Sequence, residues 1–379
     1  MPEKILFINQ HAGFIGGLEK YISVVSGLLR ERGFRTSLLY VERVKEFDRF
    51  AESFDEVYNM EESGKLGAED FALSTLHKIS DPETLERMAA KFAPTAFIHD
   101  YDYFCPKGFK YFPYRRANCA RAYSGIFCGM CASLVPPRHM TDGFAAMIEK
   151  NFQRSTALNA AIKKCPRFVV LSEFMKKGLI KNGIPEEKTR VIHPYVELPP
   201  ATEKPENKIP EIVFAGQQVI SKGVHLLIDA AAKMKSDAKI RILGSGPRLE
   251  YFKNMSAGRG ISEKISFEGW VDDTGKFFDR ADIAAFPSLW QEPFGLSGVE
   301  AMSRGTPVVA FDVGGVSEWL KDGENGLLVP ERDTAAMSEA IDRLVDNPEE
   351  RKAMGNRARR YVAQNYSKEK FWENFGKLL

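Results

Sequence analysis

Short apolar runs alternate with segments of helical spacing along the first half of the chain. The run KILFIN is followed by the Gly-rich stretch HAGFIGGLEK and by YISVVSGLLRERG, whose apolar residues recur every three or four positions. RTSLLYV, AFIHDY and RFVVLS predict further strands, and SEFMKKGLIKNG predicts a helix with Ser172 as its N-cap and Gly183 as its stop. Strands that alternate with helices are typical of an α/β domain with a parallel sheet.

The same alternation resumes after a Pro-rich stretch, VELPPATEKPENKIP, which predicts a linker over residues 196–210. The runs EIVFAG, KIRILGSG, ISFEGWV, ADIAAFPS, PVVAFD and NGLLVP predict strands, and the segments between them predict helices. We therefore expect two doubly wound Rossmann-like domains, residues 1–195 and 211–360, that face each other across a ligand-binding cleft. We expect the remaining residues, 361–379, to form a final helix that packs back on the first domain.

Length and composition agree with this picture and add one feature. A chain of 379 residues, 44% hydrophobic and 27% charged, is typical of a globular protein with two domains. The net charge is only +2, but residues 101–200 contain 16 Lys and Arg against 7 Asp and Glu, an excess of 9. This basic segment suits an anionic substrate or membrane surface, although a solvated basic face is the simpler explanation.

The N-terminal sequence MPEKILFIN reads as a strand and not as a signal peptide, and no apolar run has the length of a membrane span. We therefore expect a cytoplasmic protein, with peripheral contact at the inner membrane face as a further expectation. Five Cys in such a chain do not indicate a disulfide framework.

The stretch QEPFGLSGVE places two carboxylates, Glu292 and Glu300, on either side of a strand-to-helix loop. Free amides of Phe294, Gly295 and Leu296 at the start of the helix favour an anion such as a phosphate. The two carboxylates would then accept hydrogen bonds from hydroxyl groups, as a sugar and a ribose offer. Alternatively, the acids only complement the helix dipole.

Three further Gly-rich turns each follow a predicted strand. GQQVISKG places Lys222 at the start of a helix, where a cation opposes the helix dipole and needs another role, such as diphosphate binding or simple solvation. GSGP, with Gly244, and HAGFIGG, with Gly16 and Gly17, allow a ligand to approach the backbone closely. Each turn alone is weak evidence for a site.

Taken in order, GQQVISKG, GSGP, EGWV, PSLWQEPFGLSGVEAMSRGTPVVAFDVGGVSEWL and NGLLV resemble the retaining glycosyltransferases of family four, which have the GT-B fold. The resemblance covers nearly the whole chain and is most specific over residues 211–330. It implies that Glu292 faces the transferred sugar, that Glu300 holds the ribose of the nucleotide, and that Lys222 binds phosphate. It also implies that the glycine pair Gly16 and Gly17 lies near the diphosphate and the acceptor.

Two other positions follow from the same resemblance. His99, which ends the run AFIH, is similar to the first-domain His that faces the donor sugar, and His77 is a second candidate; either is alternatively a structural residue. Gln217 stands where the family usually has Arg, so one fixed positive charge on the diphosphate is missing. Gln217 can donate a hydrogen bond but cannot neutralise charge.

The resemblance implies transfer of a hexose from a nucleotide diphosphate sugar to a glycan or lipid-linked acceptor, with retention of configuration and without a catalytic cofactor. Such an enzyme belongs to surface polysaccharide or glycoconjugate synthesis. An epimerase or phosphorylase of the same fold is the first alternative. A metal-stabilised binding protein without activity is the second, which Gln217 keeps open. No nucleic acid partner is expected.

A Cys-rich insertion, over about residues 101–140, contains four Cys within a chain that is otherwise poor in Cys. Their spacing, C-x13-C-x8-C-x2-C, ends in a pair suited to chelating one ion, and the residues are Cys105, Cys119, Cys128 and Cys131. Structural zinc is the first interpretation and an iron–sulfur cluster the second, whereas four unrelated thiols are the alternative.

Overall fold

The computed structural model describes residues 3–112, 117–133, 144–201 and 204–379. It divides into two compact units. The first comprises residues up to Ile192 together with Asn374–Leu379, and the second comprises His193–Glu373. The predicted Cys-rich insertion, about residues 101–140, lies partly outside the described residues.

The first unit has a seven-stranded parallel sheet and a separate antiparallel pair of short strands. Within its described residues the strands are β1 Lys4–Ala12, β2 Arg35–Arg43, β3 Glu56–Asn59, β4 Leu73–Lys78, β5 Thr95–Ile98, β6 Tyr111–Phe112, β7 Ala117–Asn118, β8 Arg167–Val170 and β9 Thr189–Val191. The sheet order is β3-β2-β1-β4-β5-β8-β9, and β6 pairs with β7.

Helices connect these strands. They are α1 Gly17–Glu31, α2 Phe47–Ala51, α3 Pro82–Phe92, α4 Gly125–Ser133, α5 Phe144–Ile162 and α6 Glu173–Lys181. The oxygen of the Ser172 side chain accepts the amide of Met175 at the start of α6, as an N-cap does, and Gly183 lies just beyond its end at φ +83°. Both predicted helix signals are confirmed.

The core of the first unit forms on β1, whose residues Ile5, Leu6, Phe7 and Ile8 are fully buried. Burial of such side chains contributes about 1.5–3 kcal/mol each. The strand runs past its predicted end at Asn9, because Asn9, His11 and Ala12 remain paired with β2. The apolar run stops three residues before the end of the strand because Asn9, Gln10 and His11 are polar.

The second unit repeats the architecture. Its strands are β10 Glu211–Ala215, β11 Lys239–Leu243, β12 Ile265–Gly269, β13 Ile283–Phe286, β14 Val308–Phe311 and β15 Gly326–Val329, all parallel in the order β12-β11-β10-β13-β14-β15. Its helices are α7 Val224–Ala231, α8 Leu249–Gly258, α9 Gly275–Phe278, α10 Leu296–Ser303, α11 Val316–Trp319, α12 Thr334–Asp346, α13 Pro348–Asn365 and most of α14 Lys368–Phe375. Each predicted strand of this half is present.

The end of the chain completes the first unit. Phe375 packs against Phe97 of β5, with ring centroids 6.2 Å apart. The guanidinium of Arg167 donates to the carbonyl of Leu378 at 3.2 Å, and that of Arg190 donates to the carbonyl of Lys377 at 2.9 Å. The first unit is thus discontinuous in sequence.

In the described parts of the chain, no helix combines the length and apolar character that crossing a membrane requires.

Candidate active site

The strand order of the second sheet reverses between β10 and β13. From β10 the chain proceeds outwards through β11 and β12, and it then returns to the other side of β10 for β13, β14 and β15. In open α/β sheets, ligands bind beyond the carboxyl ends of the strands at such a reversal. The loops that follow β10 and β13 carry Lys222 and Glu292, two of the residues predicted from the sequence.

The structure brings these two side chains together. The ammonium of Lys222 lies 2.7 Å from Oε1 of Glu292, and the hydroxyl of Ser288 donates to the same oxygen at 2.6 Å. Glu292 is only 3% exposed, whereas the side chain of Lys222 is 27% exposed. Oε2 of Glu292 has no hydrogen-bond partner among the described residues, so it can accept a bond from a ligand hydroxyl.

Lys222 retains donors for an anion. An ammonium has three N–H groups, and Glu292 takes one of them. The same ammonium lies 5.1 Å from the centre of the Trp290 ring, which favours a cation at that position. A partly exposed, fixed cation with remaining donors fits a phosphate group.

Close backbone packing holds the loop of Lys222 against the loop of Glu292. Lys222 ends a 3₁₀ turn, Ile220–Lys222, and Gly223 follows at φ +76°. A Cβ atom added at Gly223 would overlap the carbonyl oxygen of Pro287, and the amide of Leu289 donates to the carbonyl of Ser221 at 2.9 Å. Gly223 is therefore required both for its backbone conformation and for the close approach.

A second glycine pair, which we did not single out from the sequence, supports Glu292 from the other side. Gly314 and Gly315 follow β14; Gly314 has φ +59°, and a Cβ atom there would overlap the backbone of Glu292. The amide of Gly315 donates to the carbonyl of Glu292 at 2.8 Å. Two adjacent glycines in the loop after a buried strand were the available signal.

The start of α10 presents the predicted amides. Gly295 is its N-cap at φ +99°, and the indole of the fully buried Trp319 donates to the carbonyl of Phe294 at 2.6 Å. The amides of Phe294, Gly295 and Leu296 have no hydrogen-bond acceptor among the described residues. Unpaired amides at a helix start favour a bound anion.

Glu300 lies on the second turn of α10 and is half-buried. Its Oε2 accepts a hydrogen bond from the hydroxyl of Thr274 at 3.5 Å, beside α9. Glu300 thus stands on the helix that begins at the loop of Glu292, one turn further from the carboxyl end of β13.

The loops after β10 and β11 interlock beside this site. Gly244 has φ +116°, and a Cβ atom there would overlap the carbonyl of Gly216. Gln218 is fully buried and its side chain donates to the carbonyl of Gly244 at 2.6 Å. Gln217 is exposed, and its side chain forms no hydrogen bond with a described residue. The close approach at Gly244 is therefore to protein backbone.

The glycine pair of the first unit caps α1. Gly16 is the N-cap and Gly17 is the first helical residue. The amide of Gly16 donates to Oε2 of Glu19 at 3.1 Å, and Glu19 is buried. A carboxylate of the same helix thus already occupies the amide of Gly16, in the turn that was predicted to approach a ligand, and this contact was not predicted from the sequence.

His77 and His99 end neighbouring strands of the first sheet and bond to each other. Nδ1 of His77 lies 3.0 Å from Nε2 of His99. Burial, together with the charge of Lys78, lowers the pKa of His99 to about 3, and burial lowers the pKa of His77 well below its usual value. Both imidazoles are therefore neutral near pH 7. From the sequence, His77 was only a second candidate beside His99, whereas the structure couples the two rings.

The four Cys of the insertion are half-exposed and form no disulfide bonds within the described chain, and their thiols lie near one another. Burial raises the pKa of Cys105, and the neighbouring Cys119 raises it further. Backbone amides of Lys107, Lys110 and Phe109 donate to its sulfur and oppose this shift. Across the described ranges, however, no three His, Cys, Asp or Glu side chains are arranged to bind a metal ion. The predicted metal site has no support from this geometry.

Sequence comparison finds a family match in the second half of the chain. Residues 197–361 match the family described as Glycosyl transferases group 1. An uncharacterized glycosyltransferase of Methanocaldococcus jannaschii is 34% identical over 170 residues, which cover 44% of this chain and 42% of that protein. The lipopolysaccharide core biosynthesis glycosyltransferase LpsE of Rhizobium meliloti is 30% identical over 170 residues, 45% of this chain and 49% of LpsE. The chain spans less than half the length of these curated relatives.

Solved structures match the whole chain. HepE of Anabaena, determined in complex with UDP-glucose, superposes with a TM-score of 0.74 at 18% identity and covers 99% of this chain and 98% of HepE. TarM superposes with a TM-score of 0.73 at 14% identity, again over 99% and 98% of the two chains. At such identities the likeness concerns the fold, and the predicted fold class, two Rossmann-like units of the GT-B type, is confirmed. Residues 197–361 therefore match the glycosyl transferases group 1 family, and the chain as a whole has the GT-B fold.

Proposed function

We propose that the protein is a retaining hexosyltransferase that uses a nucleotide diphosphate sugar. The observation that carries this proposal is the pairing of Lys222 with the buried Glu292 at the reversal of strand order in the second sheet. The pair places a cation with remaining donors beside a carboxylate with a free oxygen. These are the groups that a sugar joined to a diphosphate requires, because it offers an anion and hydroxyls on adjacent atoms.

Each predicted residue then has one task. Lys222 and the amides of Phe294, Gly295 and Leu296 bind the diphosphate, and Oε2 of Glu292 accepts a sugar hydroxyl. Glu300 accepts the hydroxyls of the ribose. Gln217 contributes hydrogen bonding without charge, so Lys222 carries the greater share of charge neutralisation.

In the proposed reaction, the bond from the anomeric carbon to the diphosphate breaks and a bond to the acceptor oxygen forms on the same face. The leaving diphosphate takes the proton of the acceptor hydroxyl. The protein positions the reactants and stabilises the charge that develops on the leaving group, and these two effects need no metal ion. His99 keeps its predicted catalytic role, and Gly16, Gly17 and Gly244 keep their predicted roles in donor binding.

The acceptor is proposed to be a glycan or a lipid-linked glycan in surface polysaccharide or glycoconjugate synthesis. HepE was solved with UDP-glucose, and LpsE is named for lipopolysaccharide core synthesis. The excess of 9 positive charges over residues 101–200 supports an anionic acceptor or membrane surface. A cytoplasmic location with peripheral contact at the inner membrane face is part of this proposal.

The test is incubation of the full chain with UDP-, GDP-, ADP- and dTDP-sugars, followed by mass spectrometry and by NMR of the anomeric configuration. We expect release of one nucleoside diphosphate and an α-linked product from an α-linked donor. Glu292→Gln should abolish turnover, whereas Glu250→Gln, the same change at an exposed site on α8, should not.

The alternatives give different results. A new sugar still attached to the nucleotide would indicate an epimerase, and turnover that requires inorganic phosphate would indicate a phosphorylase. Nucleotide-sugar binding without turnover for every acceptor would indicate a binding protein and would contradict the proposal.

We also propose structural zinc at Cys105, Cys119, Cys128 and Cys131. The support is their spacing and the backbone amides donated to the sulfur of Cys105. Thiolates bound to zinc commonly accept such bonds.

We expect about one zinc per chain when the protein is purified without chelators, as elemental analysis measures. Cys128→Ser should reduce the zinc content, and Cys165→Ser should not, because Cys165 is buried in the core of the first unit and is not one of the four Cys of the predicted site. Visible absorption with bound iron would favour the iron–sulfur alternative. A protein that is purified without metal, and that is as stable without added metal as with it, would contradict both interpretations.

A further inference from the structure

His77 is held rigidly inside the first unit. Its ring stacks between Phe7 and Phe97, with centroids 5.5 and 5.0 Å away, and it is 2% exposed. Both ring nitrogens are bonded, since Nε2 lies 3.1 Å from the hydroxyl oxygen of Thr75 and Nδ1 lies 3.0 Å from Nε2 of His99. A buried ring with fixed neighbours and two bonds has one orientation.

The hydroxyl of Thr75 fixes the direction of these bonds. It donates to the carbonyl oxygen of Leu6 at 3.0 Å, and a carbonyl can only accept. A hydroxyl has one proton, so the oxygen of Thr75 must accept a bond from His77. Nε2 of His77 therefore carries the proton of that ring.

The same reasoning extends to His99. A neutral imidazole has one N–H, and burial keeps His77 neutral by lowering its pKa. Its Nδ1 is thus an acceptor, and Nε2 of His99 must donate to it. Because His99 is neutral as well, its own Nδ1 has no proton.

We infer that His77, oriented by Thr75, is a positioning residue that fixes His99 in the Nε2–H tautomer and presents Nδ1 of His99 as a hydrogen-bond acceptor. His99 is half-exposed, and its Nδ1 has no partner among the described residues. The neighbouring charge of Lys78 is held by Asp100 and Asp102 at 2.7 and 2.6 Å. Tyr21 contacts the ring of His99 edge-on, with centroids 5.0 Å apart.

The consequence for recognition rests on the proposed function. A group that binds Nδ1 of His99 must donate a proton, so a hydroxyl of a sugar fits and a carbonyl, carboxylate or fully ionised phosphate does not. The fixed tautomer thus selects a neutral alcohol at this position. A ligand group that cannot donate would leave Nδ1 of His99 and itself without hydrogen bonds, and unpaired polar groups in a site weaken binding.

The test reads the tautomer directly, in the protein without substrate. Protein labelled with ¹⁵N in its six histidines is examined by long-range ¹H–¹⁵N correlation, and His99→Gln assigns the signals of His99. We expect His99 to show a protonated Nε2 and an unprotonated Nδ1.

Two isosteric replacements provide variant and control. Thr75→Val removes the acceptor of the Nε2 proton of His77, and we expect both rings to exchange tautomers so that Nδ1 of His99 gains a proton. Thr95→Val makes the same change at the residue paired with Thr75 on β5, where the buried hydroxyl has no hydrogen-bond partner in the described chain. It should leave the His99 signals in place. His77→Phe should give His99 a mixture of tautomers.

An Nδ1–H signal of His99 in the unmodified protein would overturn the inference, and so would an unchanged signal in both Thr75→Val and His77→Phe. Unchanged signals of the remaining histidines show that each variant is folded. If sugar transfer is found, Thr75→Val should lower kcat by about tenfold, as expected for about 1.4 kcal/mol, and Thr95→Val should not. Absence of any transfer would remove the proposed function and leave the tautomer result standing.

Discussion

Lys222→Met is expected to lower the rate of sugar transfer about 100-fold or more. Methionine keeps much of the length of the side chain but removes the charge. Lys222 is the predicted cation for the leaving diphosphate, and Gln217 cannot replace it because a carboxamide has no charge. Loss of one preorganised electrostatic group at a developing charge reduces turnover by about 10²–10³-fold.

The measurement is steady-state transfer, with kcat and the KM of the donor determined separately. Charge stabilisation of the leaving group predicts that kcat falls more than KM rises. Lys253→Met is the control, because this lysine on α8 is 47% exposed and, among the described residues, its ammonium pairs only with the exposed Glu250, at 3.0 Å. Equal rates for the two variants would exclude Lys222 from the mechanism.

A double variant separates binding of the diphosphate from support of Glu292. Lys222→Met leaves the buried carboxylate of Glu292 with the hydroxyl of Ser288 as its one partner in the described chain, so part of the effect is indirect if Lys222 serves to hold Glu292. If Lys222 acts only by holding Glu292, then adding Glu292→Gln to Lys222→Met should cause no further loss. If both side chains touch the donor, the double variant should be slower than either single variant.

Gly223→Ala is expected to destabilise the second unit by about 3 kcal/mol or more. Alanine at φ +76° is strained, and its Cβ would overlap the carbonyl oxygen of Pro287, which is backbone and cannot move without shifting the loop of Glu292. The variant should also lose donor binding, because Lys222 precedes the glycine directly.

The four tryptophans provide a specific measurement, since Trp270, Trp290, Trp319 and Trp372 all lie in the second unit. Denaturant unfolding followed by tryptophan fluorescence therefore reports that unit. Gly260→Ala is the matched control, because Gly260 has φ +69° with no atom near an added Cβ. It should cost about 1 kcal/mol from backbone strain alone. Similar midpoints for the two variants would show that the close approach at Gly223 is unimportant.

The predictable parts of the molecule were those with a local pattern. The buried strands of the second sheet are apolar runs, so the sequence predicts them. The loop of Glu292 was predicted because a recognisable strand precedes it and a helix follows it. β3 and β9 were missed because their residues are mixed in polarity and are only partly buried.

The site contacts were not predictable because they join distant residues. Lys222 and Glu292 are 70 positions apart and meet only because β13 returns to the side of β10. Gly314 supports Glu292 from the next strand, and the bond between His77 and His99 depends on the register of β4 and β5. Strand order and register are set by the whole sheet, so a single stretch of sequence does not reveal them.

Because the first unit is discontinuous in sequence, it cannot finish folding before the end of the chain has been synthesised. Phe375 fills the surface beside Phe97, and the carbonyls of Lys377 and Leu378 bind Arg190 and Arg167. A fragment ending at residue 192 would therefore lack part of its own core. The ribosome synthesises residues 374–379 after the whole of the second unit. The first unit, although it emerges first, can therefore complete its packing only after the second unit has been synthesised.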